Sequence, residues 1–370
     1  MLKQLLCSVF VGFLGIMTSH SNENIVDRIT LPSGFTINIF ADDIVGPRSL
    51  AIGDHGVVFV TSPRTGKVLA FQDLNNDGVS DHSWTVASHL NLPNGLTFFE
   101  GSLYVAEIDR VIRIDSVEET RGLTSISSIV VSGLPKHKHH GYRYIGIGPD
   151  RKLYFSIGAP CNICLIDRNN YGVIKRVNLD GSSIETFAIG IRNSMGFDWD
   201  PVTGELWFND HGRDWLGDDM PSDELNHAPT QNLDFGFPYC HQGDLSDPEF
   251  GGKISCDKFT APKIQHGAHV APDGLRFYSG NSFPDQYRNS IFIAQHGSWN
   301  RSVKSGYRIS VVRMSQDNKM ELTSSIFAEG WTKNNRVFGR PVDIIVSSHG
   351  DLLVSDDHAG VIYRITYAKN

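Results

Sequence analysis

A turn followed by a short apolar run recurs along the chain. These runs are rich in β-branched and aromatic residues, and six of them share the pattern: "GVVFV" at Gly56, "GSLYV" at Gly101, "RKLYFSIG" at Arg151, "GELWF" at Gly204, "NSIFIAQHG" at Asn289 and "GDLLVSDD" at Gly350. Most are followed by a second apolar run that contains a basic residue and in most cases begins at a glycine, such as "DRVIRI", "GVIKRV" or "GVIYRITY". Runs of this kind, bounded by glycine and polar residues, predict paired β-strands.

The strand pairs repeat about every 45 to 60 residues, with one longer interval. A period of this size with several short strands per unit is typical of a β-propeller. Six copies therefore predict an all-β fold, a six-bladed β-propeller. The alternative is a pair of β-sandwiches, whose units need not recur with matching turns. In a propeller the loops at one end of the central channel converge, so we expect function in the polar stretches between strands.

The N-terminal segment has the features of an export signal. Lys3 precedes the apolar run "LLCSVFVGFLGIM", and the small residues Ser19 and Ser21 follow it. The run is too short to span a bilayer comfortably, as is typical of a secretory signal peptide. The alternative is a buried N-terminal helix. We predict a signal peptide over residues 1–21 and a single propeller domain over residues 22–370, periplasmic or secreted.

Charge and cysteine content narrow the function further. The net charge is −8, with no basic stripe to neutralise phosphates, which argues against a nucleic-acid partner. Removal of the signal takes Cys7 with it and leaves four cysteines, an even number that favours disulfides in an exported chain. Because the members of each pair are close in sequence, we predict two disulfides, Cys161–Cys164 and Cys240–Cys256.

Three histidines lie within four positions in "LPKHKHHGYRYIGIGPD": His137, His139 and His140. Such a cluster is compatible with a metal site, because neutral imidazole is a common metal ligand. It is equally compatible with a solvated loop, or with one working base and two bystanders. The spacing alone does not decide among these interpretations.

A second candidate site is "DLNNDGVSD". It matches positions one, three, five, six and nine of a calcium loop, but Trp84 stands where the bidentate Glu of position twelve belongs. The matching residues are Asp73, Asn75, Asp77, Gly78 and Asp81. A structural calcium site and a polar hairpin turn are about equally compatible with this stretch.

Cationic and imidazole side chains recur in the polar stretches of the later repeats. Arg192 stands beside Asn193, and the planar guanidinium fork next to an amide suits a carboxylate or carbonyl ligand. Further candidates are His266, His269, His296, Trp299, Arg301, Lys304, Arg336 and Arg340. Brought to one channel mouth, these groups would favour a multiply anionic ligand on a protein that is acidic as a whole.

Four stretches resemble the soluble pyrroloquinoline quinone (PQQ)-dependent sugar dehydrogenases, most closely their L-sorbosone dehydrogenase-like branch. They are "RSLAIGDHGVVFVTSPRTGKVLAF", "HHGYRYIGIGPDRKLYFSIG", "GIRNSMGFDWDPVTGELWFNDHGRDWLGDDMPSDELN" and "HVAPDGLRFYSG". The resemblance begins at about residue 30 and continues in order to the C-terminus. It implies a six-bladed propeller that binds PQQ and calcium, oxidises a sugar or an aldehyde, and passes electrons to a cytochrome or quinone that the sequence does not identify.

The same resemblance implies the catalytic groups. The general base falls on His140, eight positions before the glycine of "GPD". A histidine titrates near pH ~6.5 and can accept the proton of a sugar hydroxyl, a role worth ~10²–10⁴ in rate. The arginine that polarises the quinone oxygen and stabilises the charge developing there falls on Arg192, and the cofactor-binding asparagine beside it falls on Asn193.

The cofactor ligands are implied in the same way. Two consecutive backbone carbonyls that hold calcium fall on Gly212 and Arg213. A position that contacts PQQ falls on His269, and an arginine that binds a PQQ carboxylate falls on Arg340.

The chain also departs from the family. The cofactor lysine has no secure match, and Arg301 or Lys304 could take its place. The glucose-oxidising branch has an acidic residue where this chain has His139, a substrate-contacting Gln at Pro93 and a second carboxylate-binding Arg at Val342. These departures put glucose itself in doubt. The alternatives are a calcium-dependent propeller lactonase and a non-catalytic binding propeller.

Overall fold

The computed structural model describes residues 25–122, 126–314 and 322–368. The predicted signal peptide therefore lies outside the described residues. The described chain is almost entirely strand and turn, arranged in six consecutive antiparallel sheets that we number blades 1 to 6. The prediction of a six-bladed β-propeller is confirmed, and the β-sandwich alternative is wrong.

Each blade has four strands, which follow one another from the channel outward. Blade 1 comprises Leu50–Ile52, Val58–Ser62, Lys67–Gln72 and His82–Ala87. Blade 2 comprises Leu96–Phe99, Ser102–Ala106, Arg110–Ile114 and Ser128–Ser132. Blade 3 comprises Ile145–Ile147, Leu153–Ile157, Val173–Val177 and Glu185–Ile189. Blade 4 comprises Phe197–Trp199, Leu206–Asp210, Ser222–Ala228 and Ile264–Ala268. Blade 5 comprises Pro272–Phe277, Ile291–Gln295, Arg308–Met314 and Leu322–Glu329. Blade 6 comprises Pro341–Val346, Leu352–Asp356, Val361–Tyr367 and Phe35–Ala41.

Blade 6 closes the ring with strands from both ends of the chain. Its outer strand, Phe35–Ala41, comes from the N-terminal part and pairs antiparallel with Val361–Tyr367, with Phe35 opposite Tyr367. Because the outer strand of the last blade comes from the N-terminal part of the chain, hydrogen bonds between the two ends of the chain hold the ring closed. Each blade keeps an outer sheet edge, as is typical of a propeller.

The hydrophobic core is divided among the blade interfaces. Six clusters of buried side chains each combine residues of two neighbouring blades, including one that joins blade 6 to blade 1. The second strand of a blade is buried on both faces, as in Val58–Ser62 and Leu352–Asp356. This explains why the recurring runs in the sequence are continuously apolar rather than alternating. Each fully buried Val, Leu, Ile or Phe side chain stabilises the folded state by about 1.5–3 kcal/mol relative to the same side chain left exposed to water.

The remaining elements are small. They are the helical turns Ile25–Arg28, Val117–Thr120, Cys256–Lys258 and Asp285–Tyr287, the strand Leu233–Asp234, which adds to blade 3, and the two-stranded ladders Cys240–His241 with Leu245–Ser246 and Thr332–Lys333 with Arg336–Val337. No helix in the described ranges is long and apolar enough to cross a membrane.

Candidate active site

A cavity of ≈ 230 Å³, lined mostly by polar residues, lies at the end of the channel where the innermost strands begin. Its walls come from loops that precede the inner strands of blades 3 to 6 and from loops that leave the second strands of blades 4 and 5. The structure brings six of the predicted site residues to this cavity: His140, Arg192, Asn193, Gly212, His269 and Arg340. Residues from blades 3 to 6 thus meet at one channel mouth, as the propeller prediction required.

His140 is held as a neutral imidazole. Its Nδ1 lies 2.9 Å from the carbonyl oxygen of Ala159, which can only accept, so Nδ1 carries the proton and Nε2 is left with its lone pair. Burial, together with the nearby charge of Arg192, holds the pKa of His140 well below its usual value. A side chain at Gly158 would collide with His140, because an added Cβ would lie 2.6 Å from its Cβ. The imidazole therefore needs glycine beside it.

The other two histidines of the cluster have different surroundings. The ring of His139 packs 4.1 Å from that of His140, whereas the ring of His137 packs edge-on against Tyr171 at 5.7 Å. Burial lowers the pKa of His139, and the charge of Arg192 lowers it further. In the ranges that the structure covers, no group of three or more His, Cys, Asp or Glu side chains is arranged to hold a metal. The three histidines therefore have different surroundings, and the chemical role of each stays a prediction.

Arg192 and Asn193 are anchored through their backbone by Asp210. The Asp210 carboxylate accepts the N–H of Arg192 at 2.8 Å and that of Asn193 at 2.6 Å. The Asn193 amide lies 3.3 Å from Nδ1 of His211, whose Nε2 donates to the carbonyl of Pro272 at 3.1 Å. Strand Leu206–Asp210 of blade 4 thus positions the predicted Arg–Asn pair from behind.

The guanidinium of Arg192 is held by Asn162, a residue that the sequence analysis did not select. Nε of Arg192 donates to the Asn162 carbonyl at 2.9 Å, and Nη2 donates to the Asn162 side-chain oxygen at 2.8 Å. The same side chain accepts the N–H of Asp214 at 2.8 Å and donates to its carbonyl at 3.1 Å. Nη2 of Arg192 also pairs with the Asp214 carboxylate at 3.3 Å.

Asn162 belongs to a loop that is closed by a disulfide. Cys161 is bonded to Cys164, and Cys240 is bonded to Cys256, so both predicted pairings are confirmed. The signal that could have identified Asn162 was its place between the two cysteines of "CNIC". Because the bridge closes a four-residue loop, it limits the positions that Asn162 can take.

The predicted calcium ligands lie just after strand Leu206–Asp210. The N–H of Gly212 donates to the Asp223 carboxylate at 2.7 Å. The side chain of Arg213 points to other partners, Asp247 at 2.6 Å and Glu249 at 3.1 Å, so only its backbone is available to a cation. Within the described chain, the carbonyl oxygens of Gly212 and Arg213 accept no hydrogen bond.

Two of the predicted cofactor-binding side chains, those of His269 and Arg340, donate hydrogen bonds to backbone carbonyl oxygens. Nε2 of His269 donates to the carbonyl of Gly217 at 2.8 Å, and its Nδ1 lies 4.0 Å from Asp214. Arg340 donates from Nε and Nη2 to the carbonyls of His296 and Gly297, at 3.1 and 2.7 Å. Both side chains line the cavity.

Arg301 does not line the cavity. Its guanidinium binds the Asp218 carbonyl and the Asp219 carboxylate, which belong to the loop after Leu206–Asp210. Its assignment to the cofactor stays a prediction without support from this placement. Pro93 and Val342, two positions where the chain departs from the family, are buried outside the cavity wall.

An ion-pair network beneath the cavity was also missed. Arg48, which precedes the first inner strand, is buried and pairs with Asp273 at 3.0 Å and Asp357 at 3.1 Å. Asp357 in turn contacts Nε2 of His296 at 2.9 Å. These residues belong to blades 1, 5 and 6, so the network connects the first blade to the last two blades, where the ring closes. The sequence signal was weak, because each residue looked like an ordinary strand-end charge.

The stretch from Asp73 to Asp81 forms a compact polar turn. Asp73 accepts the N–H groups of Asn76 and Gly78 at 2.7 and 2.8 Å, and Asp81 accepts that of Leu74 at 2.7 Å. These bonds are typical of Asx turns, in which side-chain oxygens cap the backbone. Because such bonds occur in polar hairpin turns and in calcium loops alike, both interpretations of this segment stay open.

Comparison with known proteins places the chain in a family. A family model described as TrAA12-like matches residues 29–368. An uncharacterized protein of Borreliella burgdorferi is 33% identical over 360 residues, covering 94% of this chain and 93% of that one. A pyrroloquinoline quinone-dependent sugar dehydrogenase of Hypocrea jecorina is 22% identical over 361 residues, covering 80% of each.

A solved structure with the same fold is the holo form of the pyranose dehydrogenase PQQ domain from Coprinopsis cinerea. It superposes with a TM-score of 0.79 at 18% identity and covers 91% of this chain and 97% of the domain. At this identity the likeness establishes the propeller fold alone. The family match covers nearly the whole chain, and its members are oxidoreductases. The chain therefore belongs to the TrAA12-like family of PQQ-dependent sugar dehydrogenases.

Proposed function

We propose that this protein oxidises a sugar hemiacetal or a hydrated aldehyde with PQQ as cofactor and calcium as its counter-ion, and that His140 is the general base. The observation that carries the proposal is the geometry of His140. Its Nδ1 is committed to Ala159, and its ring lines the same cavity as Arg192 and Arg340. A base with a free lone pair thus shares a cavity with two cations.

The cavity has the charges that a tricarboxylate cofactor requires. Arg340 pairs with no carboxylate among the described residues, and its Nη1 makes no hydrogen bond to them, so that nitrogen is available to a PQQ carboxylate. Guanidinium is well suited to this contact because its planar donors match a carboxylate. Arg192 is more fully engaged, because both of its Nη atoms donate hydrogen bonds within the protein, but it also lines the cavity.

His140 would take the hydroxyl proton on its Nε2 while the substrate carbon loses a hydride. When bound, PQQ supplies the quinone that accepts that hydride and later passes two electrons to a separate acceptor. A hemiacetal that loses one hydride and one proton becomes a lactone, and a hydrated aldehyde becomes a carboxylic acid. Arg192 would stabilise the negative charge that develops on the acceptor oxygen, because donors already in place need no reorganisation.

The Gly212 and Arg213 carbonyl oxygens would hold the calcium. Hard cations bind oxygen ligands, and these two oxygens have no competing donor in the described chain. Two carbonyls are fewer than the 6–8 oxygens that calcium takes, so cofactor oxygens and water would complete the shell.

The test is a direct assay. The purified chain is mixed with PQQ and calcium, and dye reduction is followed with a panel of sugars and aldehydes. We expect His140→Ala to lower kcat by about 10²–10⁴ while PQQ binding, followed by the cofactor absorbance, persists. His137→Ala is the matched control, because His137 packs on Tyr171 away from the cavity. Failure of the unmodified protein to bind PQQ and to oxidise any substrate would overturn the proposal.

We also propose that the mature protein is exported after removal of residues 1–21. The two disulfides support this, because such bonds persist in oxidising compartments. The mass of the protein recovered from the periplasm or medium would test it, since an intact N-terminus would contradict cleavage.

A further inference from the structure

Two exposed tryptophans stand together at the mouth of the candidate active site. Among the large hydrophobic side chains that are exposed in the described ranges, only Trp215 and Trp299 are aromatic, at 66% and 63% exposure. Their ring centroids lie 5.3 Å apart at an interplanar angle of 87°. Exposed apolar side chains that lie together in one patch often mark a binding site, whereas single exposed ones do not.

The pair is connected directly to the cavity. Trp299 lines the cavity together with His140 and Arg340. Trp215 follows Asp214, which also lines the cavity and pairs with Arg192 at 3.3 Å. A ligand that extends out of the cavity would therefore pass over the indoles.

The two loops that carry the tryptophans are bound to each other. The loop after Leu206–Asp210 carries Trp215, and the loop after Ile291–Gln295 carries Trp299. From the Trp299 loop, Arg301 binds Asp218 and Asp219 of the Trp215 loop. The N–H of Ser302 also donates to the Asp218 carboxylate, at 3.2 Å. Trp215 itself has a backbone φ of +71°, which is uncommon for a bulky residue and is retained only where the surroundings enforce it. The surrounding loop therefore holds this side chain outward despite a local cost.

The chemistry around the indoles matches a sugar ring. Indole faces offer flat apolar surface for the C–H face of a pyranose, and the neighbouring carboxylates and guanidinium can take its hydroxyls. Two indoles bury at most about 300–500 Å², less than the ~800 Å² per partner of a stable protein interface. A small ring is therefore a better fit than a protein surface.

We propose that Trp215 and Trp299 form a subsite for a second sugar ring, so that the substrates are oligosaccharides whose reducing end is oxidised at His140. This inference rests on the proposed dehydrogenase function. It adds that the enzyme selects its substrate by chain length, through binding outside the reacting ring.

The experiment compares aldoses of one, two and three rings built from the same sugar. In the unmodified protein we expect kcat/KM to rise with the second ring. In Trp215→Ala the ratio of kcat/KM for the trisaccharide to that for the monosaccharide should fall about tenfold, mainly through KM. Trp215→Phe should restore part of the ratio. Val303→Ala, which removes an exposed side chain from the same loop as Trp299, should leave the ratio unchanged.

Three results would overturn the subsite: an unmodified protein that prefers the monosaccharide, a ratio unchanged in Trp215→Ala, or equal loss in Trp215→Ala and Val303→Ala. In each case turnover of the monosaccharide leaves the dehydrogenase function intact. If neither an aldose nor an aldehyde is oxidised, the proposed function fails instead. Quenching of tryptophan fluorescence by the trisaccharide, lost in Trp215→Ala, would then support the subsite, and absence of quenching would overturn it.

Discussion

Asn162 binds the guanidinium of Arg192 through two of its own oxygens. The backbone carbonyl accepts from Nε at 2.9 Å, and the side-chain oxygen accepts from Nη2 at 2.8 Å. The two residues are on different loops, and Asn162 sits between the cysteines of a disulfide. The orientation of the cation in the candidate active site therefore depends on a residue that need not touch substrate.

We predict that Asn162→Ala lowers kcat by about 10- to 100-fold, because it removes the side-chain oxygen that fixes both Arg192 and Asp214. As a positioning residue, Asn162 should affect kcat more than KM for the monosaccharide, and steady-state kinetics would show the split. Asn170→Ala is the matched control, because among the described residues the Asn170 amide donates only to Asp167 of its own loop. Equal effects of the two variants would show that Asn162 acts only through general loop stability.

A second prediction concerns pH. Because the pKa of His140 lies well below its usual value, the base stays neutral as the pH falls through ~6.5, and kcat/KM should stay level there. The rings of His139 and His140 lie 4.1 Å apart, so the carboxylate of His139→Asp would put a negative charge near His140 and stabilise its imidazolium. The acidic limb of the kcat/KM profile should therefore move to higher pH. A limb that does not move would exclude His140 as the titrating base.

A third prediction concerns stability. Arg48→Met would leave the carboxylates of Asp273 and Asp357 buried without their shared cation. Loss of one partner from a buried ion pair typically costs about 3–5 kcal/mol, and urea unfolding would measure it. The control is Arg151→Met, whose ion pair with Glu100 joins side chains that are 62% and 61% exposed and should contribute under ~1 kcal/mol.

The fourth prediction concerns calcium. If the carbonyls of Gly212 and Arg213 bind the ion in the folded state alone, added calcium should raise the Tm and a chelator should reverse the rise. Magnesium is the control, because it demands a tighter octahedral shell that two consecutive carbonyls fit poorly. Equal stabilisation by both ions would point to non-specific screening instead.

Local pattern was enough to predict the fold. The six continuous apolar runs are the second strands of the six blades, and they begin just after Gly56, Gly101, Arg151, Gly204, Asn289 and Gly350. The outer strand of blade 6 was not predicted, because Phe35–Ala41 pairs with Val361–Tyr367 from the far end of the chain. Family resemblance, rather than periodicity, selected His140, Arg192 and Arg340, which the ring then brings to one cavity.

The sequence by itself determined the strands, their sixfold repetition and the disulfide pairs, because each depends on residues that are neighbours along the chain. Tertiary structure alone decided that Asn162 holds Arg192, that Arg48 joins Asp273 to Asp357, and that Trp215 meets Trp299. The partners in these contacts lie on different loops, separated by 30 to more than 300 residues. Only closure of the blades into a ring brings such distant loops within hydrogen-bonding distance, and no pattern along the chain records that closure.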